Sequence, residues 1–205
     1  MIVHARKEYL LYKEYISVGV FILKKTYEIM FLSRGGQGAV TASRIMTLAL
    51  VKEGFYAQAI PEFGAERRGA IVKTYVRASP EPIKTHEAIR EPDLLVVYSR
   101  GIIEHLGESL KELSGIPVAI VNTQAPIKYW RKTYIVDATG IAIKIGLVVA
   151  GWPIVSTPLL GSIARVTNLY KIETLEEAMR EFFSGELLSK NINAARLAYE
   201  STQEV

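Results

Sequence analysis

The sequence predicts an α/β fold: a three-layer α/β/α sandwich around a mostly parallel, mixed sheet, closed by a helical C-terminal segment. Three observations carry this. Apolar runs of strand length alternate with segments of helical period from Thr26 to about Gly151, the pattern of a doubly wound layer structure. The first run, "TYEIMFLS", ends in the glycine turn "RGGQG", which opens directly into a helical period. After Gly151 the strand-like runs stop, and only helical periods remain to about Glu200.

The elements follow in order. Residues 1–25 differ from the rest: "HARKEYLLYKEY" is charged and aromatic, and "ISVGVFIL" has no helical period. They read as an N-terminal extension, with residues 26–205 as a single α/β domain. From Ala39, the residues Val40, Ile45, Met46, Leu48, Ala49 and Val51 outline a helix with a broad apolar face, and Gly54 is placed to end it. "YAQAIPEF" and "AIVKTYVRAS", joined by a short Gly-bounded turn, predict antiparallel neighbours. "DLLVVYS" reads as a central strand, "GIIEHLGESLKEL" as one helix, and "IPVAIVN" and "TYIVDA" as further strands. In the tail, Thr157 is placed as an N-cap with Pro158 at the first helical position. Thr174 and Glu177 have capping-box spacing, and residues 186–200 again have a helical period.

Composition narrows the function classes. The 205 residues suffice for one substantial core, and 49% hydrophobic with 22% charged residues is ordinary for a globular protein. The net charge of +4 is spread along the chain, without the basic stripe or aromatic module that nucleic-acid binding requires. With no cysteine, the chain forms neither a disulfide nor a thiolate-ligated iron-sulfur cluster. "ISVGVFIL" is far shorter than a membrane-spanning helix, and the charges around it do not suit a signal peptide. The expectation is a cytoplasmic protein without a membrane partner. Sparse Asn and Gln beside abundant Glu, Lys and Arg hint at a thermophilic source.

Two stretches are candidate sites. "SRGGQGAVTA" lacks the Lys-Ser/Thr end of a P-loop, and Gly35, Gly36 and Gly38 do not fit G-x-G-x-x-G. A glycine turn at a helix N-terminus offers N–H groups and a positive dipole end to an anion; equally, it permits a tight, closely packed reversal. "EFGAERRGA" places Glu62, Glu66, Arg67 and Arg68 around a turn. The arginines are forks for phosphate or carboxylate, or solvated charges that pair with one another. His4, His86 and His105 show no ligand spacing, and Ser33, Ser43 and Ser99 have no nucleophile-elbow context. No catalytic set and no metal site is expected on this chain.

The ordered series "SRGGQGAVTASRIM", "AIPEFGAERRGAIVKTYVRAS", "EPDLLVVYS", "YIVDATGIA" and "PIVSTPLLGSIARVT" resembles the gamma subunit of pyruvate:ferredoxin oxidoreductase and related 2-oxoacid:ferredoxin oxidoreductases. The resemblance covers about residues 26 to 200, and the paired RGGQG and FG-x-ERRG signatures make it specific. It implies a subunit of an enzyme that oxidatively decarboxylates a 2-oxoacid, pyruvate first among them, forms acyl-coenzyme A and reduces ferredoxin. In such assemblies thiamine diphosphate with Mg lies between alpha and beta subunits, and the iron-sulfur clusters lie in the beta and delta subunits. The gamma chain's implied share is architectural, together with shaping the coenzyme A entrance. On that basis Arg34, Gly35, Gly36, Gln37, Gly38, Arg67 and Arg68 are the candidate contacts, either to coenzyme A or to a neighbouring subunit. The isolated chain is expected to be inactive. The rival expectation is a stand-alone α/β protein that binds an anion or nucleotide at the glycine turn.

Overall fold

A computed structural model of the chain describes residues 26–62, 70–85 and 87–205. The proposed extension 1–25, the turn bearing Arg67 and Arg68, and His86 lie outside the described residues.

The first strand, β1 (Tyr27–Arg34), is buried on both faces for most of its length, so its apolar residues run almost continuously instead of alternating. It pairs antiparallel with β3 (Ile71–Ser79) on one side and parallel with β4 (Leu94–Val97) on the other. β2 (Tyr56–Pro61) pairs antiparallel with β3, as the Gly-bounded turn predicts. β5 (Val118–Asn122) and β6 (Lys132–Val136) extend the parallel run beyond β4. A short final strand, β9 (Gln203–Glu204), closes the far edge against β6, giving the order β2-β3-β1-β4-β5-β6-β9. All strands but β3 and β9 share one direction, so the sheet is mixed and mostly parallel, with helices on both sides.

On one side α1 (Ala39–Lys52) packs with α4 (Ser156–Thr167), α5 (Ile172–Met179) and α6 (Gly185–Ser201). α2 (Arg100–Leu106) packs against β1 and β4, apart from that cluster, and the 3-10 segment Gly107–Leu113 packs on α2. α3 (Ala138–Lys144) follows β6 and leads into a small hairpin, β7 (Val148–Val149) and β8 (Trp152–Pro153). One core cluster joins residues from Tyr27 to Ala198, with Phe31, Leu32, Ile45, Met46, Leu95 and Ile120 fully buried. No described helix is long and apolar enough to cross a membrane.

Four expectations are corrected. Strands do not stop at Gly151, because β8 and β9 follow; both are two residues long, too short to show a period. The stretch 101–113 is not one helix: Gly107 takes φ +51 and the chain continues as 3-10. Thr157 is not an N-cap. α4 starts at Ser156, and the buried Thr157 hydroxyl donates to Asn191 Oδ1 on α6 at 2.7 Å. Thr174 and Glu177 form no capping box, since α5 starts two residues earlier at Ile172. Glu53, at the end of α1, accepts instead from the Lys171 N–H at 3.0 Å and from the Thr174 hydroxyl. Glu177 pairs with Lys52 at 3.6 Å. In both helices a tertiary partner takes the polar group that local spacing assigned to a cap.

The tightest helix contact lies where Gly161 of α4 meets α6. A methyl at Gly161 would collide with the Ala195 backbone carbonyl, an atom that cannot rotate away. Gly161→Ala is therefore expected to lower the unfolding free energy by about 3 kcal/mol, the upper end for overpacking. Urea denaturation of the isolated chain checks this, and an unchanged midpoint would mean that α4 and α6 are farther apart.

Candidate functional site

The candidate turn sits where β1 hands over to α1. Two residues in it must take left-handed backbone: Gly36 at φ +91 and Gly38 at φ +82, a region closed to most side chains. The reasons differ. Around Gly36 there is open space, so conformation alone demands glycine; at Gly38 an added Cβ would also lie 3.2 Å from Ser156 Oγ. The turn is held internally, with the Arg34 N–H donating to Gln37 Oε1 at 2.7 Å and the Gln37 N–H to the Arg34 carbonyl at 3.1 Å.

Two helix N-termini meet there. Gly38 occupies the N-cap of α1 with no side-chain cap, and the first turn of α1 holds no acidic residue. Its neighbour Ser156 opens α4, which likewise starts without a side-chain cap or an acid in its first turn. Two helix dipoles thus point their positive ends at one spot. Arg34, half-buried, begins the turn, and its guanidinium reaches the Gly101 carbonyl of α2 at 3.4 Å. Among the candidate residues, the structure brings Arg34, Gly35, Gly36, Gln37 and Gly38 into one cradle-shaped reversal.

The second signature converges on the same end of the sheet. The Gly35 N–H donates to the Ala70 carbonyl at 2.9 Å, and Arg34 is in register with Ile71. On the other flank the Glu62 N–H donates to Lys73 O at 3.2 Å. The Ala70 end of the segment that carries Arg67 and Arg68 therefore lies beside the glycine turn and the Glu62 end one strand farther out, across β3, though those two residues are outside the described ones. Glu62 is bonded to the Tyr75 phenol, whose pKa is pushed up to about 12, first by burial and then by the charge and hydrogen bond of Glu62.

Sequence reasoning passed over the end of β6. Asp137 caps α3, its Oδ1 accepting the Gly140 N–H at 2.8 Å while Oδ2 accepts Gln124 Nε2 at 2.8 Å. Asn122 donates to the Tyr98 carbonyl at 2.8 Å and to Thr139 Oγ1 at 2.9 Å, tying β4, β5 and α3 together. A cleft of about 500 Å³ beside them is lined by Thr123, Gln124, Asp137, Lys144 and Gln203. The signal was present: an Asp just ahead of "ATGIA" is an N-cap pattern. Its carboxylate is engaged in capping, so it serves the fold. A larger cleft of about 970 Å³ lies at the other end of β1, around Glu28, Arg77 and Glu91. There Arg77 Nε pairs with Glu28 at 2.8 Å. Among the described residues no group of three or more His, Asp or Glu is placed to hold a metal. Ser33 and Ser43 are buried, and His105 is exposed.

A central strand, glycine reversal and helix at one end of a mixed sheet, joined by backbone to a second turn, define a class of α/β protein with an anion-competent end. The family model described as pyruvate ferredoxin/flavodoxin oxidoreductase matches residues 28–201, and the chain belongs to that family. It is 44% identical over 184 residues to the pyruvate/ketoisovalerate oxidoreductases common subunit gamma of Pyrococcus furiosus, covering 86% of this chain and 97% of that one. It is 41% identical over 174 residues to the pyruvate synthase subunit PorC of Methanothermobacter marburgensis, covering 84% and 96%. Among solved structures it resembles the pyruvate oxidoreductase subunit PORC of Thermotoga maritima, with a TM-score of 0.70, 31% identity and coverage of 88% and 99%.

The Tyr75–Glu62 contact gives a pH test. Because the folded-state pKa lies above the ordinary phenol value of 10.0, the group favours folding at low and neutral pH, and that contribution is lost as pH rises through about 12. The unfolding free energy of the parent is expected to fall more steeply between about pH 10 and 12 than that of Tyr75→Phe. Parallel slopes would mean that Tyr75 is solvated.

Proposed function

We propose that this chain works as the gamma subunit of a multisubunit 2-oxoacid:ferredoxin oxidoreductase, with pyruvate as the first substrate to test. Its partners are then alpha, beta and delta subunits in the cytoplasm, and ferredoxin takes the electrons. The observation that carries the reading is the match to gamma subunits over 97% of their length, which leaves little of such a subunit unaccounted for. The chain has no cysteine, so cluster thiolates come from other chains. Thiamine diphosphate and Mg are assigned to those chains as well.

Within the assembly, the cradle of Arg34, Gly35, Gly36, Gln37 and Gly38, with Arg67 and Arg68, is assigned to the phosphates of coenzyme A. Two uncapped helix N-termini and a half-buried arginine favour an anion at that spot, and arginine forks match phosphate oxygens in pairs. The chain's part in turnover is to hold and orient the carrier while its thiol end reaches the reacting centre. No proton or electron transfer is placed on this chain.

The test uses the reconstituted complex, assayed for coenzyme A-dependent oxidation of pyruvate with ferredoxin as acceptor. Replacing Arg67 and Arg68 together by Ala is expected to weaken the apparent affinity for coenzyme A at least ~30-fold, equivalent to about 2 kcal/mol for a lost charge pair. The parent's affinity should fall with salt more steeply than the variant's. Loss of subunits on gel filtration would place the arginines at an interface instead, and no change in either readout would return them to solvent.

A further inference from the structure

We infer that the β7–β8 hairpin is the anchor by which this chain seats in a neighbouring, different subunit of its assembly. The inference rests on the reading of the chain as a subunit, and goes beyond it by naming the contact. Ile143 is 59% exposed, Val148 41%, Val149 55% and Trp152 69%. Four large apolar side chains thus face solvent within ten residues, where scattered single ones are the norm.

The hairpin is rooted but not covered. Its base is tied in by buried Leu147, which joins Ala142 and Ala194 in a small second core, and by the Ile154 N–H donating to Leu147 O at 3.0 Å. Its tip is a two-residue turn in which Ala150 (φ +49) and Gly151 (φ +81) are both left-handed, as tight hairpins require. Strands of two residues give such a tip little support of their own, and a non-glycine residue at positive φ adds strain. A contact that buries Val149 and Trp152 stabilises what the chain alone does not.

Charge and area select the occupant. Between Asp137 and Arg165 the only ionisable residue is Lys144, one residue past exposed Ile143 and near the base of the hairpin. Lys190 stands there too, with its ammonium 3.6 Å from where a Cβ at Gly146 would be, and it pairs with Glu186 at 2.8 Å. Two copies meeting tip to tip would oppose Lys144 to Lys144, and the nearby carboxylates are already engaged, Glu186 with Lys190 and Asp137 with Gly140 and Gln124. The projecting tip is also small beside the roughly 800 Å² per partner of a stable interface, since a tryptophan supplies at most about 250 Å². A concave apolar pocket with an acidic rim, on a larger subunit that also wraps α3, fits both constraints.

The test exploits there being only two tryptophans. Trp130 is buried, with its indole N–H donating to the Leu113 carbonyl at 2.9 Å, so collisional quenching by acrylamide reports chiefly Trp152. With cofactor-loaded partner subunits supplied as non-fluorescent tryptophan-analogue protein, Trp152 is expected to lose most of its quenching on assembly. Trp152→Glu should weaken assembly at least tenfold while the isolated variant keeps the parent's circular dichroism and melting temperature, and Trp152→Phe should restore most of it. An active complex in which Trp152 stays as quenchable as in the free chain overturns the hairpin contact and leaves the subunit reading intact. Protection that instead follows this chain's own concentration, with a doubling of its mass, overturns the choice of partner. A parent chain that joins no assembly overturns both readings.

Discussion

Everything at the candidate site depends on one backbone constraint: the chain must reverse from the central strand into α1 within four residues. Gly36 and Gly38 absorb the two left-handed steps, and Gln37 between them closes the turn by accepting the Arg34 N–H. The reversal also sets where α1 begins, and so where α4 can begin, because Ser156 rests against Gly38. A side chain at Gly38 would strain the left-handed backbone and crowd the Ser156 side chain where the two helix N-termini meet. The same turn receives the Ala70 carbonyl, fixing one end of the segment that bears Arg67 and Arg68.

The helical layer is held by contacts distant in sequence. α4 and α6 approach closely because Gly161 has no side chain facing Ala195, and their interface buries the polar pair Thr157 and Asn191. Paired this way, the hydroxyl and amide avoid the penalty of about 1–3 kcal/mol for a buried unmatched polar group. Glu53 does similar work between α1 and α5, accepting from the backbone and side chain at the start of α5. The sheet and helices are therefore locked at the end of α1 as well as at its beginning.

Much of this was legible in the sequence, and the exceptions have a physical pattern. β1, α1 and the antiparallel β2–β3 pair were legible because period and glycine placement are local signals. The caps at Thr157 and Thr174 were misread because their partners, Asn191 and Glu53, lie 34 and 121 residues away. Strand β9 has two residues and owes its existence to the free edge of β6. Gly107 broke a helix whose apolar period continued past it, since positive φ there ends the α-helical hydrogen-bond series. At the candidate site, the turn geometry was legible in the glycines, whereas its occupant depends on chemistry contributed from outside the chain. The exposed hairpin escaped notice because apolar residues in a sequence read as core until their surroundings are known.

The central claim is that the Arg34–Gly38 turn is prebuilt in the chain before any anion or partner arrives. Residue-resolved amide exchange on the isolated chain tests it most directly, because the Arg34, Gly35 and Gln37 N–H groups all have acceptors within the chain. Those three amides are expected to exchange as slowly as the core amides of β1, and to do so without coenzyme A or other subunits. Exchange at the rate of open loops, slowed only on assembly, would mean that the cradle is formed by its ligand or its neighbours and would contradict the account.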